Sequence, residues 1–401
     1  MSEECMIRGG KLVTVTSRGT LHDGAIVIKN GKIEAVDEWN SLQKKYPSIN
    51  VIDYSDYVIT PALVDCHTHL LEFAPTTLYP VTSETHFLGG KTILFEALSS
   101  GITALGEQIC GHPLSDFSID DYRDAVKDFP MDISFAATSI SIGFDKLVHF
   151  TSVTKSTPVS QKELSNTALV TDMARQSDYP GENIFINATP ANFKASEVPH
   201  AGEIIYSFDD LKKIADIYHN EDKQIGVHVA GETAIQMALD AGIDILHHAH
   251  GIRNKQIDQA AKQNICIIAT PLGGTHLQPN SPENIHNLMS NNIPVSIATD
   301  AYLPPYPNIP WLDVDNQTLY GPDSLMPIAH PTMEHLKANG YNENDILALL
   351  TKNSATILGK ERQFGSLAEG LDANLIVTGG VPGLEITNVS EIKNVFFRGE
   401  W

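Results

Sequence analysis

Two imidazoles one residue apart open the chemistry of this chain: the run Val58-Ile-Thr-Pro-Ala-Leu-Val-Asp-Cys66 leads directly into His67-Thr-His69. In extended backbone, residues i and i+2 project to the same side, so both rings can reach one metal ion. Alone, the pair carries little weight. With 16 histidines in 401 residues, roughly one such pair or fewer arises by chance, and His248-Ala-His250 is a second. Three further apolar runs end in groups able to ligate a metal or move a proton: Gln224-Ile-Gly-Val-His228, Asp244-Ile-Leu-His-His248 and Val295-Ser-Ile-Ala-Thr-Asp300. Three histidines and a carboxylate suit zinc or a similar divalent ion with one position open for water.

These groups act together only if the fold gathers the run ends. Between residues 60 and 360, short β-rich apolar runs alternate with longer segments of helical period, the pattern of a βα array with parallel strands. The spacing predicts strands near 62–65, 102–106, 132–137, 183–187, 224–229, 244–247, 265–269 and 294–299. Eight such strands suit an α/β fold of the (β/α)8 barrel type, whose chemistry sits at the C-terminal strand ends. The first, fifth, sixth and eighth ends would then converge on one axis. The chain ends differ in pattern. Runs 11–16 and 25–29, with Asp23-Gly24 and Asn30-Gly31 supplying the positive φ of tight hairpins, predict an antiparallel meander. Runs 373–378 and 394–398 also read as strands. Neither end can bury a core alone, so 1–59 and 361–401 are expected to pack together as a small β-sandwich domain beside the barrel of residues 60–360.

The motifs, in order, resemble the amidohydrolase superfamily over nearly the whole chain. The resemblance is carried by Pro61-Ala-Leu-Val-Asp-Cys-His-Thr-His69, Gly101-Ile-Thr-Ala, His228 opening Val-Ala-Gly-Glu-Thr, Ala241-Gly-Ile-Asp-Ile-Leu-His-His248 and Ala298-Thr-Asp300. Asn353-Ser-Ala-Thr-Ile-Leu-Gly359 and Gly365-Ser-Leu-Ala-Glu-Gly-Leu-Asp-Ala-Asn374 complete it. Order and spacing look like the branch holding imidazolonepropionases, proline dipeptidases and related cyclic-amide hydrolases. This implies metal ligands His67, His69, His228 and Asp300, with His248 binding a second ion or polarising the substrate. Relatives with two ions bridge them by a carboxylated lysine, or sometimes a glutamate, at the end of strand four. Here that predicted strand ends in Asn187, and Lys194 lies seven residues on. A neutral amide cannot bridge, so one divalent ion is expected, zinc before iron or manganese, with Asn187 turned to substrate. A divalent ion on neutral imidazoles lowers the pKa of its water toward 7. Asp300 would take that water's proton and pass it to the leaving nitrogen, while His248 donates a hydrogen bond to the developing oxyanion.

Other residues near the strand ends are weighed against plainer roles. Glu107 and His112 face the same mouth as the ligands, or are solvated loop residues. Arg253 would hold a substrate carboxylate bidentately, or form a surface salt bridge. Tyr302 opens a loop rich in proline and aromatics, through Tyr306 to Trp311, that would wall a pocket for a flat substrate or simply pack. Glu232 is a proton shuttle, or a carboxylate favoured at a helix start. His247 should point away from His248 into the wall, and a register error of two would exchange His250 with His248.

Composition excludes several classes. A formal charge of −22 repels phosphate backbones and anionic bilayers, so neither nucleic acid nor membrane is an expected partner. No apolar run approaches the roughly 20 residues of a membrane span. Cys5, Cys66, Cys110 and Cys266 form no CxxC pair, which fits a reducing cytoplasm. The expectation is a metal-dependent hydrolase cleaving a carbon–nitrogen bond of a small cyclic or aromatic molecule, as a monomer or homo-oligomer. Its rivals are a two-metal Xaa-Pro dipeptidase and a non-catalytic binding barrel.

Overall fold

The computed structural model describes residues 4–72, 82–111, 116–189 and 192–400. β1 (Glu4–Val13), β2 (Thr20–Lys29) and β3 (Lys32–Glu38) form the expected antiparallel meander, and β4 (Val51–Pro61) returns parallel to β1 after the helix Trp39–Lys45. Asn30-Gly31 is the predicted two-residue turn: both residues have positive φ, 51° and 74°, and they join Lys29 to its partner Lys32. Asp23-Gly24 is not a turn. It lies inside β2, where the Asp23 carboxylate accepts from Arg8 Nε at 2.8 Å.

The chemistry-bearing runs form two parallel sheets. β5 (Leu63–Thr68), β6 (Ile102–Ile109) and β7 (Asp132–Ala137) make the first. The hairpin β8 (Ser139–Gly143) and β9 (Leu147–Thr151) edges the second, followed by β10 (Ile184–Phe185), β11 (Gly226–Ala230), β12 (Ile245–His250), β13 (Cys266–Ala269) and β14 (Val295–Ile297). All eight predicted strands are present. They do not close into one hydrogen-bonded barrel. At one junction the chain runs from β7 to β8 through Thr138 and changes partner, Thr138 N donating to Ile109 O and Ser139 N to Asn183 O. At the other junction a side chain replaces the ladder: the buried Asp65 carboxylate accepts from Thr299 Oγ1 at 2.5 Å and from Thr299 N at 3.3 Å. Asp300 N then donates to His67 O, and His69 N to Ala301 O. Both sheets feed one buried cluster containing Val64, Cys66, Ala104, Ala136, Ile245 and Ile268. β5, β6, β11 and β12 are buried at every position, as parallel strands covered on both faces must be.

β15 (Leu375–Thr378) and β16 (Ile392–Phe396) bring the C-terminal end back: β15 pairs antiparallel with β4, Leu375 opposite Pro61. The result is one six-stranded sheet, β16-β15-β4-β1-β2-β3, where a two-sheet sandwich was expected. β4 makes this possible, because its 11 residues are long enough to pair with β1 along most of their length and with β15 at their end. Alternate side chains serve the two faces. Ile7, Ile26, Ile59, Leu375 and Phe396 cluster together, whereas Met6, Ala25, Val27 and Ala35 pack with Leu42 of the helix Trp39–Lys45. Among the described residues no helix is long and apolar enough to cross a membrane.

Candidate metal centre

His67 and His69 leave β5 as alternation requires, their ring centroids 5.5 Å apart. Both Nε2 atoms approach one Asp300 oxygen, at 3.2 and 3.7 Å. Asp300 follows β14 in a left-handed conformation (φ 52°), which turns its carboxylate back across the β5 junction. On the far side His228 rises from β11 with its ring stacked on Phe185, 4.3 Å between centroids.

Between these groups stands a carboxylate that the sequence pattern did not single out, Glu182, 1% exposed. Its Oε1 lies 2.9 Å from His228 Nδ1 and 2.5 Å from His248 Nε2, and its Oε2 3.5 Å from both His67 Nε2 and His69 Nε2. A turn at Pro180-Gly181 delivers it just before β10. That turn lies directly on β11, where a Cβ added to Gly226 would come 2.1 Å from Gly181 O; only glycine admits this approach.

β12 departs from simple alternation. His248 and Ala249 have positive φ (67° and 49°), and the pairing with β11 slips between Val229 and Ala230. This bulge turns His247 and His248 both toward the site, correcting the expectation that His247 faces the wall. His247 Nε2 lies 3.2 Å from Pro180 O and its Nδ1 2.7 Å from His67 Nδ1. A carbonyl only accepts, so His247 donates there, and its Nδ1 accepts the proton on His67 Nδ1. His67 Nε2 is left as a bare lone pair, fully buried, with no hydrogen-bond partner among the described residues. His248 follows the same logic. Its Nδ1 donates to Thr270 Oγ1 (2.7 Å), which donates on to Gly273 O (2.5 Å), so the Nε2 lone pair faces Glu182. Burial pushes His67 down to about 3 and His248 down to about 4, keeping both imidazoles neutral at pH 7. Burial likewise pushes Asp300 up to about 6. At His67 and His248, lone pairs and carboxylate oxygens aimed at one another with no proton between them are what a cation site requires. The sets His67, His69, Glu182 and Glu182, His228, His248 each keep their donor atoms within 4.8 Å of one another, as do His67, His248 and Asp300. These residues fit divalent metal.

A model of the amidohydrolase family matches residues 58–401. The chain belongs to that family. Among curated relatives it is similar to an imidazolonepropionase of Pyrobaculum arsenaticum, 38% identical over 74 residues, 16% of this chain and 19% of that protein. A 5-methylthioadenosine/S-adenosylhomocysteine deaminase of Nitratidesulfovibrio vulgaris is 29% identical over 109 residues, 23% of this chain and 25% of that one. The matched stretches thus span about a quarter or less of these relatives. In shape the chain resembles a solved Xaa-Pro dipeptidase with TM-score 0.71 at 16% identity, covering 99% of this chain and 98% of the other.

The remaining predicted residues of this amidohydrolase divide sharply. Asn187 is not at the centre. Its Oδ1 accepts from Ala230 N at 2.6 Å and its Nδ2 donates to Gly202 O at 3.0 Å, so it is a buried tie between β11 and the chain after β10. Glu107, fully buried, accepts from Thr68 Oγ1 and Leu71 N, both at 2.7 Å; it shapes the turn after His69 and does not face the cavity. Arg253 stands at the surface, 68% exposed, 3.5 Å from the equally exposed Glu232. Lys194 is half exposed beside Glu197. His250 hydrogen-bonds Thr275 Oγ1 at 2.8 Å. His112 lies outside the described residues. Tyr302 does line the cavity, its hydroxyl donating to Glu96 at 2.5 Å. That cavity, about 360 Å³, has His69, Glu182, His228 and Asp300 at one end.

Proposed function

We propose that this amidohydrolase hydrolyses a carbon–nitrogen bond of a small molecule, using two divalent ions held on either side of Glu182. The observation that carries the reading is the position of that carboxylate, with one oxygen toward His67 and His69 and the other toward His228 and His248. The single-ion expectation rested on Asn187 filling the strand-four place, and Glu182 removes that ground. His67, His69 and Asp300 would hold one ion and His228 and His248 the other. Bound there, divalent metal acidifies water and polarises the scissile group. Asp300 borders the cavity, so it is the base that takes the proton from attacking water and returns it to the leaving nitrogen. His248, absent from the cavity lining, serves as ligand in place of the substrate contact first expected. Imidazole and carboxylate donors suit zinc, iron or manganese alike. The four free cysteines fit a reducing cytoplasm.

Metal analysis together with a panel of lactams, hydantoins, imidazolones, aminopurines and dipeptides tests the reading. About two ions per chain and turnover of at least one carbon–nitrogen substrate are expected. Failure to bind metal at all would refute it. Glu182 also revives the Xaa-Pro dipeptidase reading, since the bridging group that reading needs is present. A non-catalytic barrel should have lost ligands, and here the donors are all in place.

A further inference from the structure

We infer that the pocket beside the proposed ions takes a neutral, apolar amide and discriminates against substrates that carry a carboxylate; the inference rests on the hydrolase reading above. Away from the metal end the cavity is walled by Ile140 and Ile142 of β8, Phe185 of β10, and Phe144, Phe193 and Leu303. Among the described residues no lysine or arginine lines it, and the sequence of the remaining residues holds neither. Arg253, the cation the sequence offered for a carboxylate, is spent on Glu232 at the surface. Tyr302 has its hydroxyl committed to Glu96. A carboxylate entering such a wall would lose its hydration without gaining the charged, bidentate partner that compensates desolvation. Two divalent ions would exceed the charge of Glu182 and Asp300 by two, but that excess stands at the metal end with the scissile group, away from the apolar wall that a remote carboxylate would meet. The rim points the same way. Phe144 and Phe193 are 54% and 40% exposed, an arrangement that leaves two aromatic faces in water unless an apolar ligand covers them.

The test uses the full chain and a matched pair with one scissile bond, acetanilide and 4-acetamidobenzoate. Hydrolysis is followed by release of the aryl amine, and binding to chelator-treated protein by calorimetry. Expected is a preference for acetanilide on the order of 10²-fold in kcat/KM and the same order of preference in metal-free binding. Ile142→Arg should narrow that preference by at least about tenfold by supplying the missing cation; Phe144→Arg, at the exposed rim, does the same should the buried change impair folding. Equal or better handling of 4-acetamidobenzoate, in turnover or in metal-free binding, would overturn the inference while leaving the hydrolase reading intact. Selective binding of acetanilide with no hydrolysis of any carbon–nitrogen substrate would instead sink the hydrolase reading and leave the pocket assignment standing.

Discussion

Replacing Glu182 by glutamine separates the bridging role proposed for this carboxylate from a merely structural one. The side chain keeps its size, but an amide has only one oxygen. Glu182 Oε1 stands 2.9 Å from His228 Nδ1 and 2.5 Å from His248 Nε2, while Oε2 is 3.5 Å from the Nε2 atoms of His67 and His69. Whichever way the amide turns, one of these two groups meets an NH2 with no lone pair for a metal. The other keeps an oxygen without its charge. Losing groups that merely orient metal ligands costs about 10- to 100-fold in affinity, so losing a direct anionic ligand should cost at least about 10²-fold, or roughly 2.7 kcal/mol. Metal analysis after dialysis against a competing chelator should fall from about two ions per chain to one or fewer, with kcat/KM falling at least as far. Asn187→Ala is the control. It leaves Ala230 N and Gly202 O without their side-chain partner, a loss of about 1–3 kcal/mol in stability, and metal content should fall less than in Glu182→Gln. Full metal occupancy and activity in Glu182→Gln, or a greater metal loss in Asn187→Ala than in Glu182→Gln, would refute the assignment of strand four.

Asp300→Asn should leave the fold intact and lower kcat by about 10²-fold or more, as removal of a general base does; near wild-type turnover would refute that role. His67→Ala should reduce metal content and activity together, and a variant with wild-type metal occupancy would show that the β5 ligands are misassigned. Glu72, buried and accepting from Cys110 N and Gly111 N, has its pKa pushed by burial from 4.5 up to about 7. Since the folded-state value is raised, its contribution to stability is full below pH 4.5 and is lost as pH rises through 7, on the order of 3 kcal/mol in all. Denaturation of metal-free protein between pH 4.5 and 7.5 should therefore show a decline that Glu72→Gln flattens, and an unchanged slope in the variant would remove Glu72 as its source.

What could be read from the residues, and what could not, follows from how local the controlling geometry is. His67, His69, His228 and Asp300 were legible because each closes an apolar run whose strand formed where its β-rich composition said, and strand ends in a βα array point one way. His248 was legible as a site residue but not with its neighbour. Strict alternation sends His247 to the opposite side, and the bulge marked by positive φ at His248 and Ala249 depends on the slipped pairing with β11, which no pattern within residues 244–250 encodes. The single sheet at the chain ends was hidden for a similar reason. Periodicity finds strands, but their partners are fixed by long-range pairing, here by β4 serving β1 and β15 at once.

Strand four shows the limit most clearly. The apolar run 183–187 suggested a strand ending at Asn187, yet β10 is two residues long, and the carboxylate that faces the four histidines precedes it. The backbone turn at Pro180-Gly181 and the side-chain-free surface of Gly226, 45 residues after Gly181 in sequence but in contact, decide that Glu182 enters the centre. A Pro-Gly step followed by an acid before a buried apolar run was the available signal, but it acquires meaning only once the neighbouring strand is known to leave room. The same packing explains why Asn187 could be mistaken for a site residue: its side chain is buried close by, holding Ala230 N and so the strand that carries His228. One position orders the backbone of β11 and the other faces its histidine, and the pairing of β10 with β11, set by tertiary contact, determines which is which.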